Sequence, residues 1–187
     1  ETRFSLPTRQ GYRMIFSDLY YFAKPVIPLR WRLTFRRALA GYLRSKHDKT
    51  WPINEGAGAV PDNWKGWPQG KKFGFVLTHD VEGRRGFDRS RLLANLDMEY
   101  GFRSSFNFVP EGEYRVPDEL RSFMTSNGFE IGVHDLHHDG SLYRSAKQFR
   151  SACKKINEYV ETWGAEGFRS GFMRHNLRWL DEVNVLY

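Results

Sequence analysis

An α/β fold with parallel strands is predicted by three observations. After about residue 71, short apolar runs rich in β-forming residues alternate with stretches of helical period. Glycines close those helical stretches, and three clusters of chemistry-bearing residues each follow a predicted strand. Strands separated by helices pair in parallel, which makes an α/β layer or a barrel.

Taken in order, Phe73 to Thr78 reads as a buried strand bounded by charge, and Phe87 to Tyr100 as a helix closed by Gly101. Ser104 to Val109 is the second strand. Pro117 to Asn127 is a helix with proline at its start and Gly128 at its end. Phe129 to Val133 is the third strand, and Ser145 to Trp163 is a long helix before Gly164. A short strand is expected near Gly167 and Phe168, then a helix over Leu177 to Asn184 capped by Asn176, with a further strand beginning at Val185 to Tyr187.

Residues 1–70 differ in kind. The stretch to His47 is basic and aromatic, and Trp51 to Gly70 is a Gly/Pro/Trp-rich linker or irregular wrap. Between Pro28 and Lys46, Leu29, Leu33, Ala40 and Leu43 share a helical face, with Arg30, Arg36, Arg37 and Arg44 largely elsewhere. This basic amphipathic helix either docks on the domain that follows or lies on an anionic membrane surface. The expected division is 1–70 for this leader and 71–187 for the α/β domain.

The net charge of +7 does not mark a nucleic-acid-binding protein. Residues 1–72 hold 14 Lys/Arg against 5 Asp/Glu, a balance of +9, so the rest of the chain is left at −2. The basic excess thus lies apart from the chemistry, and no nucleic-acid partner is expected. Cys153 is the only cysteine, which excludes an intrachain disulfide and a four-thiolate zinc site and accords with a reducing compartment. With neither a spanning apolar run nor the pattern of a signal peptide, the expectation is a cytoplasmic protein, in peripheral contact with a membrane if residues 28–46 touch one.

The second cluster is His134-Asp135-Leu136-His137-His138, directly after Glu130-Ile131-Gly132-Val133. The carboxyl ends of parallel strands are where binding groups collect, and imidazoles spaced by a turn suit a zinc-like ion. His134 and His138 are the natural pair, with His137 as a geometric substitute. The first cluster, Thr78-His79-Asp80-Val81-Glu82-Gly83, supplies the carboxylates. One of Asp80 and Glu82 can complete a facial set of three ligands while the other accepts a proton from water that the ion acidifies from a pKa of about 16 toward about 7. The bland alternative for either cluster is a solvated polar loop. In the third cluster, Phe168-Arg169-Ser170-Gly171-Phe172, a charge just beyond a buried strand calls for a carboxylate partner, and Asp80 is the candidate.

These clusters, in this order, resemble the motifs of the polysaccharide deacetylase family, also called carbohydrate esterase family 4. Thr78-His79-Asp80-Val81-Glu82 is similar to its Thr-Phe-Asp-Asp-Gly motif, in an Asp-x-Glu variant. Glu130 to His138 is similar to Glu-Ile-Gly-Asn-His-Ser/Thr-x-x-His, and Arg169-Ser170-Gly171-Phe172 to Arg-x-Pro-Tyr/Phe. The resemblance implies an incomplete, distorted (β/α)7 barrel and metal-dependent removal of an N-acyl group from an amino sugar or glycan. It implies Asp80 as base, Arg169 as its orienting partner, the Phe172 N–H as an oxyanion donor, and Glu82, His134 and His138 as ligands. Zinc is the first candidate ion, with nickel, cobalt, manganese or iron as alternatives. Gly171 in place of proline is expected to loosen the loop carrying Phe172. The family's Leu-x-His acid is expected beyond Tyr187, so that this chain holds the metal-binding half and is itself inactive. The alternatives are a deacylase of a non-sugar amide or cyclic ureide, and a catalytically silent glycan-binding domain.

Overall fold

The computed structural model describes residue 23 and residues 26–50, 52–173 and 175–187. Most of the expected leader up to Pro25, together with Trp51, lies outside them. The chain divides into two compact units, Glu1–Lys72 and Phe73–Tyr187, so the expected boundary moves by two residues.

In the first unit, helix α1 spans Leu29–Lys46, as its apolar spacing predicts. None of its residues is buried. Among the described residues of the Gly/Pro/Trp-rich stretch after it, two short 3-10 turns form, Glu55–Gly58 and Pro68–Gly70.

The second unit alternates β1 (Thr78–Val81), α2 (Arg84–Glu99), β2 (Ser105–Phe108), α3 (Asp118–Ser126), β3 (Glu130–His134), α4 (Ala146–Trp163), β4 (Gly167–Arg169) and α5 (Leu177–Leu180). The four strands form one parallel sheet in the order β1-β2-β3-β4, without a reversal. Parallel crossovers are almost always right-handed, so a strand order that never reverses places the helices on one face.

The register explains how the two faces differ. Val81, Phe108, Val133 and Phe168 pair across the sheet in one row, and His79, Phe106 and Ile131 in another. Apart from His79, these rows belong to the apolar core, with Ala94 from α2, Leu120 and Met124 from α3, and Phe149, Cys153, Ile156 and Val160 from α4. Each large apolar side chain fully buried there contributes about 1.5–3 kcal/mol. Side chains alternate along a strand, so the intervening rows face the other way: Thr78, Ser105 and Glu130, then Asp80, Asn107, Gly132 and Gly167, then His134 beside Arg169.

The expected first strand is the main correction. Phe73, Phe75 and Val76 are 70–83% exposed, and the strand begins only at Thr78, where pairing with Ser105 starts. The Thr-x-Asp motif is therefore part of β1 rather than a loop beyond it, and Glu82 is the first residue past its end. Helix α2 starts three residues earlier than expected, because the Gly83 carbonyl accepts from the Phe87 N–H at 3.0 Å. Helix α5 stops at Leu180 rather than Asn184. The expected strand after it appears as two backbone bonds, Leu186 N–H to Glu166 and Phe168 N–H to Tyr187.

Caps fix the long helix that follows the histidine loop. The Ser145 hydroxyl accepts from the Gln148 N–H at 3.1 Å, and Gly164 closes α4 in the left-handed conformation at φ 63°. The Cys153 thiol is buried on this helix and donates to the Glu182 carbonyl at 3.0 Å, and burial raises its pKa, so it is a packing residue rather than a nucleophile. Among the described residues no helix is long and apolar enough to cross a membrane.

Candidate metal centre

Two strand ends converge at one edge of the sheet. Glu82 follows β1, His134 ends β3, and His138 is returned by the loop after it. One ligand atom from each lies within 4.8 Å of the others. Glu82 Oε1 is 3.5 Å from His138 Nε2 and 3.9 Å from His134 Nε2. Three ligands on one tetrahedral zinc sit roughly 3.3 Å apart, so side-chain adjustment within the observed gaps is enough to bring them onto an ion.

The chemistry of the imidazoles points the same way. His134 Nδ1 faces the Arg169 carbonyl at 3.0 Å, and a carbonyl only accepts, so Nδ1 carries the proton and Nε2 presents a lone pair. His134 Nε2 and His138 Nε2 are both buried and without a hydrogen-bond partner. Buried polar atoms are rarely left unpaired at a cost of about 1–3 kcal/mol each, and an ion between them removes both penalties. The residues present therefore fit a divalent cation.

The alternative histidine is resolved by its surroundings. His137 Nδ1 faces the Glu111 carbonyl at 3.2 Å, and its Nε2 lies 3.5 Å from the Glu111 carboxylate, which also holds Lys155 at 3.0 Å. His137 is thus turned away, and His138 joins His134. The turn that achieves this places two non-glycine residues in the left-handed region, Asp135 at φ 60° and His138 at φ 54°. Asp and His are among the residues that tolerate it.

Beside the triad, Arg169 Nη1 approaches Asp80 Oδ1 at 3.3 Å and donates to Thr78 Oγ1 at 2.8 Å. The same Asp80 oxygen accepts from Asn107 Nδ2 at 3.1 Å. Asn107 had no place in the sequence-based site. It is buried, and its carboxamide lies across Gly132, where any Cβ would collide with Asn107 Oδ1. The signal was present in the alternation: a lone amide between Phe106 and Phe108, in register with Asp80.

The third cluster packs on the second. The Phe172 ring stacks on the His138 ring with centroids 5.0 Å apart. Gly171 does not loosen this loop as expected. A Cβ there would stand 2.6 Å from His138 Cδ2 and 2.8 Å from Asp135 Oδ2, so glycine is what permits the close approach. The loop is tied down at two further points. The Arg169 carbonyl accepts from the Asp135 N–H at 2.9 Å, and Tyr143 Oη bonds Ser170 Oγ at 2.6 Å. Burial pushes the Tyr143 phenol up to about 12 despite the Ser170 bond, and the nearby Asp135 charge adds to the rise.

Comparisons with protein-family models, with curated proteins and with solved structures found no match to this chain.

Proposed function

We propose that this chain carries the metal-holding part of a divalent-metal-dependent hydrolase that removes an N-acyl group from an amino sugar or glycan, on a barrel of the polysaccharide deacetylase type. The observation that carries the reading is the convergence of Glu82, His134 and His138, with both buried Nε2 atoms unpaired, next to a carboxylate that two other strands orient. The unreversed strand order supports a barrel over a doubly wound sheet.

In this reading Glu82, His134 and His138 hold the ion, with zinc the first candidate for two imidazoles and one carboxylate. A bound ion supplies Lewis acidity toward the amide carbonyl and acidifies water. The protein's own groups do the rest. Asn107 and Arg169 both address Asp80 Oδ1 and thereby fix the orientation of the carboxylate. Its second oxygen, which has no hydrogen-bond partner among the described residues, takes the proton from the attacking water. The half-exposed Phe172 ring, stacked on His138, is an apolar surface at the site's rim on which a sugar face can rest.

The departures in the first motif favour one second reading. Val81 packs into the core where the family pattern has an acid, so the carboxylate ligand arrives one residue later, at the end of a longer side chain. A displaced ligand supports a different acyl substrate, a non-sugar amide or cyclic ureide.

Metal titration of the chain beside a His134→Ala/His138→Ala variant tests the centre, with near-stoichiometric binding expected only in the unsubstituted chain. Acetylated amino sugars and small amides assayed side by side, in a form of the protein that turns over substrate, then separate the two substrate readings. Turnover undiminished in Asp80→Asn would refute the base.

A further inference from the structure

Among the described helices of more than one turn, α1 stands apart in charge and exposure. Its 18 residues, LRWRLTFRRALAGYLRSK, contain six basic side chains and no acidic one, and none of them is buried. At 100° per residue, Arg30, Arg37 and Arg44 fall within an arc of about 40°. Trp31, Phe35 and Tyr42 fall within a second arc of about 40°, roughly 140° away from the first. Leu29, Leu33, Leu39 and Leu43 fill the wider arc that joins the two, with Arg32 and Arg36 set among them.

The aromatic stripe stands open, with Trp31, Phe35 and Tyr42 each at least 60% exposed. Trp31 and Phe35 lie one turn apart with ring centroids 6.3 Å from each other. Aromatic rings of this kind concentrate at the headgroup level of bilayers, and long arginine stems can lie along apolar surface while their guanidinium groups reach phosphate. A helix that only solvated a protein surface would mix both signs of charge, as α2, α3 and α4 do.

We propose that α1 is an interfacial anchor, lying parallel to a membrane rich in anionic lipid with its leucine and aromatic arc in the headgroup-acyl boundary. Charge complementarity selects the partner: six cations on a helix that holds no acidic residue match a surface of negative headgroups. The inference stands on α1 alone and does not rest on the deacylase reading.

The test uses the full chain, sedimented with phosphatidylcholine vesicles and with vesicles in which about a third of the lipid is phosphatidylglycerol. Binding to the second kind, falling steeply with salt, is expected. Arg30→Gln/Arg37→Gln/Arg44→Gln should weaken the partition by about 100-fold. Trp31→Ser/Phe35→Ser/Tyr42→Ser should weaken it by at least about tenfold and abolish tryptophan quenching by brominated acyl chains. Binding to neither vesicle, equal binding to both, or an aromatic variant that binds like the unsubstituted chain overturns the proposal. So does retention on heparin without vesicle binding, which would mark a general polyanion surface.

Discussion

Gly171 has a role that its missing side chain defines. A methyl group there would meet His138 Cδ2 and Asp135 Oδ2 below contact distance, so Gly171→Ala must displace the His138 imidazole or the turn that presents it. Perturbing the shell around a metal ligand costs about 10–100-fold in affinity. A competition titration against a chromophoric chelator should show a loss of that size, and unchanged affinity would refute the close packing. The same titration distinguishes the neighbouring histidines. His138→Ala should abolish tight binding, whereas His137→Ala should leave it within about threefold, because His137 is engaged with Glu111. Legibility was uneven at this scale. His134 and a carboxylate from either Asp80 or Glu82 were legible by residue type after predicted strands, but the choice of His138 over His137 depends on Glu111, a residue 26 positions upstream of His137 that no local spacing reveals. Asn107 escaped for a related reason, since its partner Asp80 lies across the sheet.

Among the elements, α4 depends on its first turn. Ser145 caps it through the Gln148 N–H, and Phe149, Cys153, Ile156, Val160 and Trp163 bury one face. Ser145→Ala should lower stability by about 1 kcal/mol, read as a shifted urea midpoint with an unchanged slope. Helices α3 and α4 were legible because caps and period agree, with Pro117 and Ser145 at their starts and Gly128 and Gly164 just past their ends; of α5 only the start at Asn176 was, since no glycine marks its stop at Leu180. Strand β1 was not, because an apolar run need not pair. Phe73 to Val76 has the composition of a buried strand, yet the ladder begins at Thr78, and what fixes it there is tertiary. Tyr114 donates to the Val81 carbonyl and accepts from the Val109 N–H at 2.9 Å, tying the ends of β1 and β2 together.

For the α/β unit as a whole, two buried phenols set an alkaline limit. Burial pushes Tyr114 up to about 12 against a lowering bond from the Val109 N–H, and Tyr143 also reaches about 12. In the unfolded chain such phenols ionise near 10. Between these values the unfolded state holds fewer protons, so stability falls as pH rises, from fully present below about 10 to lost by about 12. Each phenol accounts for on the order of 2 to 3 kcal/mol. Urea midpoints should decline over that window, and tyrosinate absorbance should show two late-titrating groups; a flat profile would contradict the burial.

The carbonyl of Arg169 receives both the His134 ring proton and the Asp135 N–H, while the guanidinium of the same residue serves Asp80. A main-chain oxygen is present whatever the codon specifies. Mutation at position 169 can therefore retune the carboxylate's partner and leave the imidazole's tautomer untouched, so the two halves of the centre are free to vary independently under selection. Only a change that shifts β4 itself alters both at once.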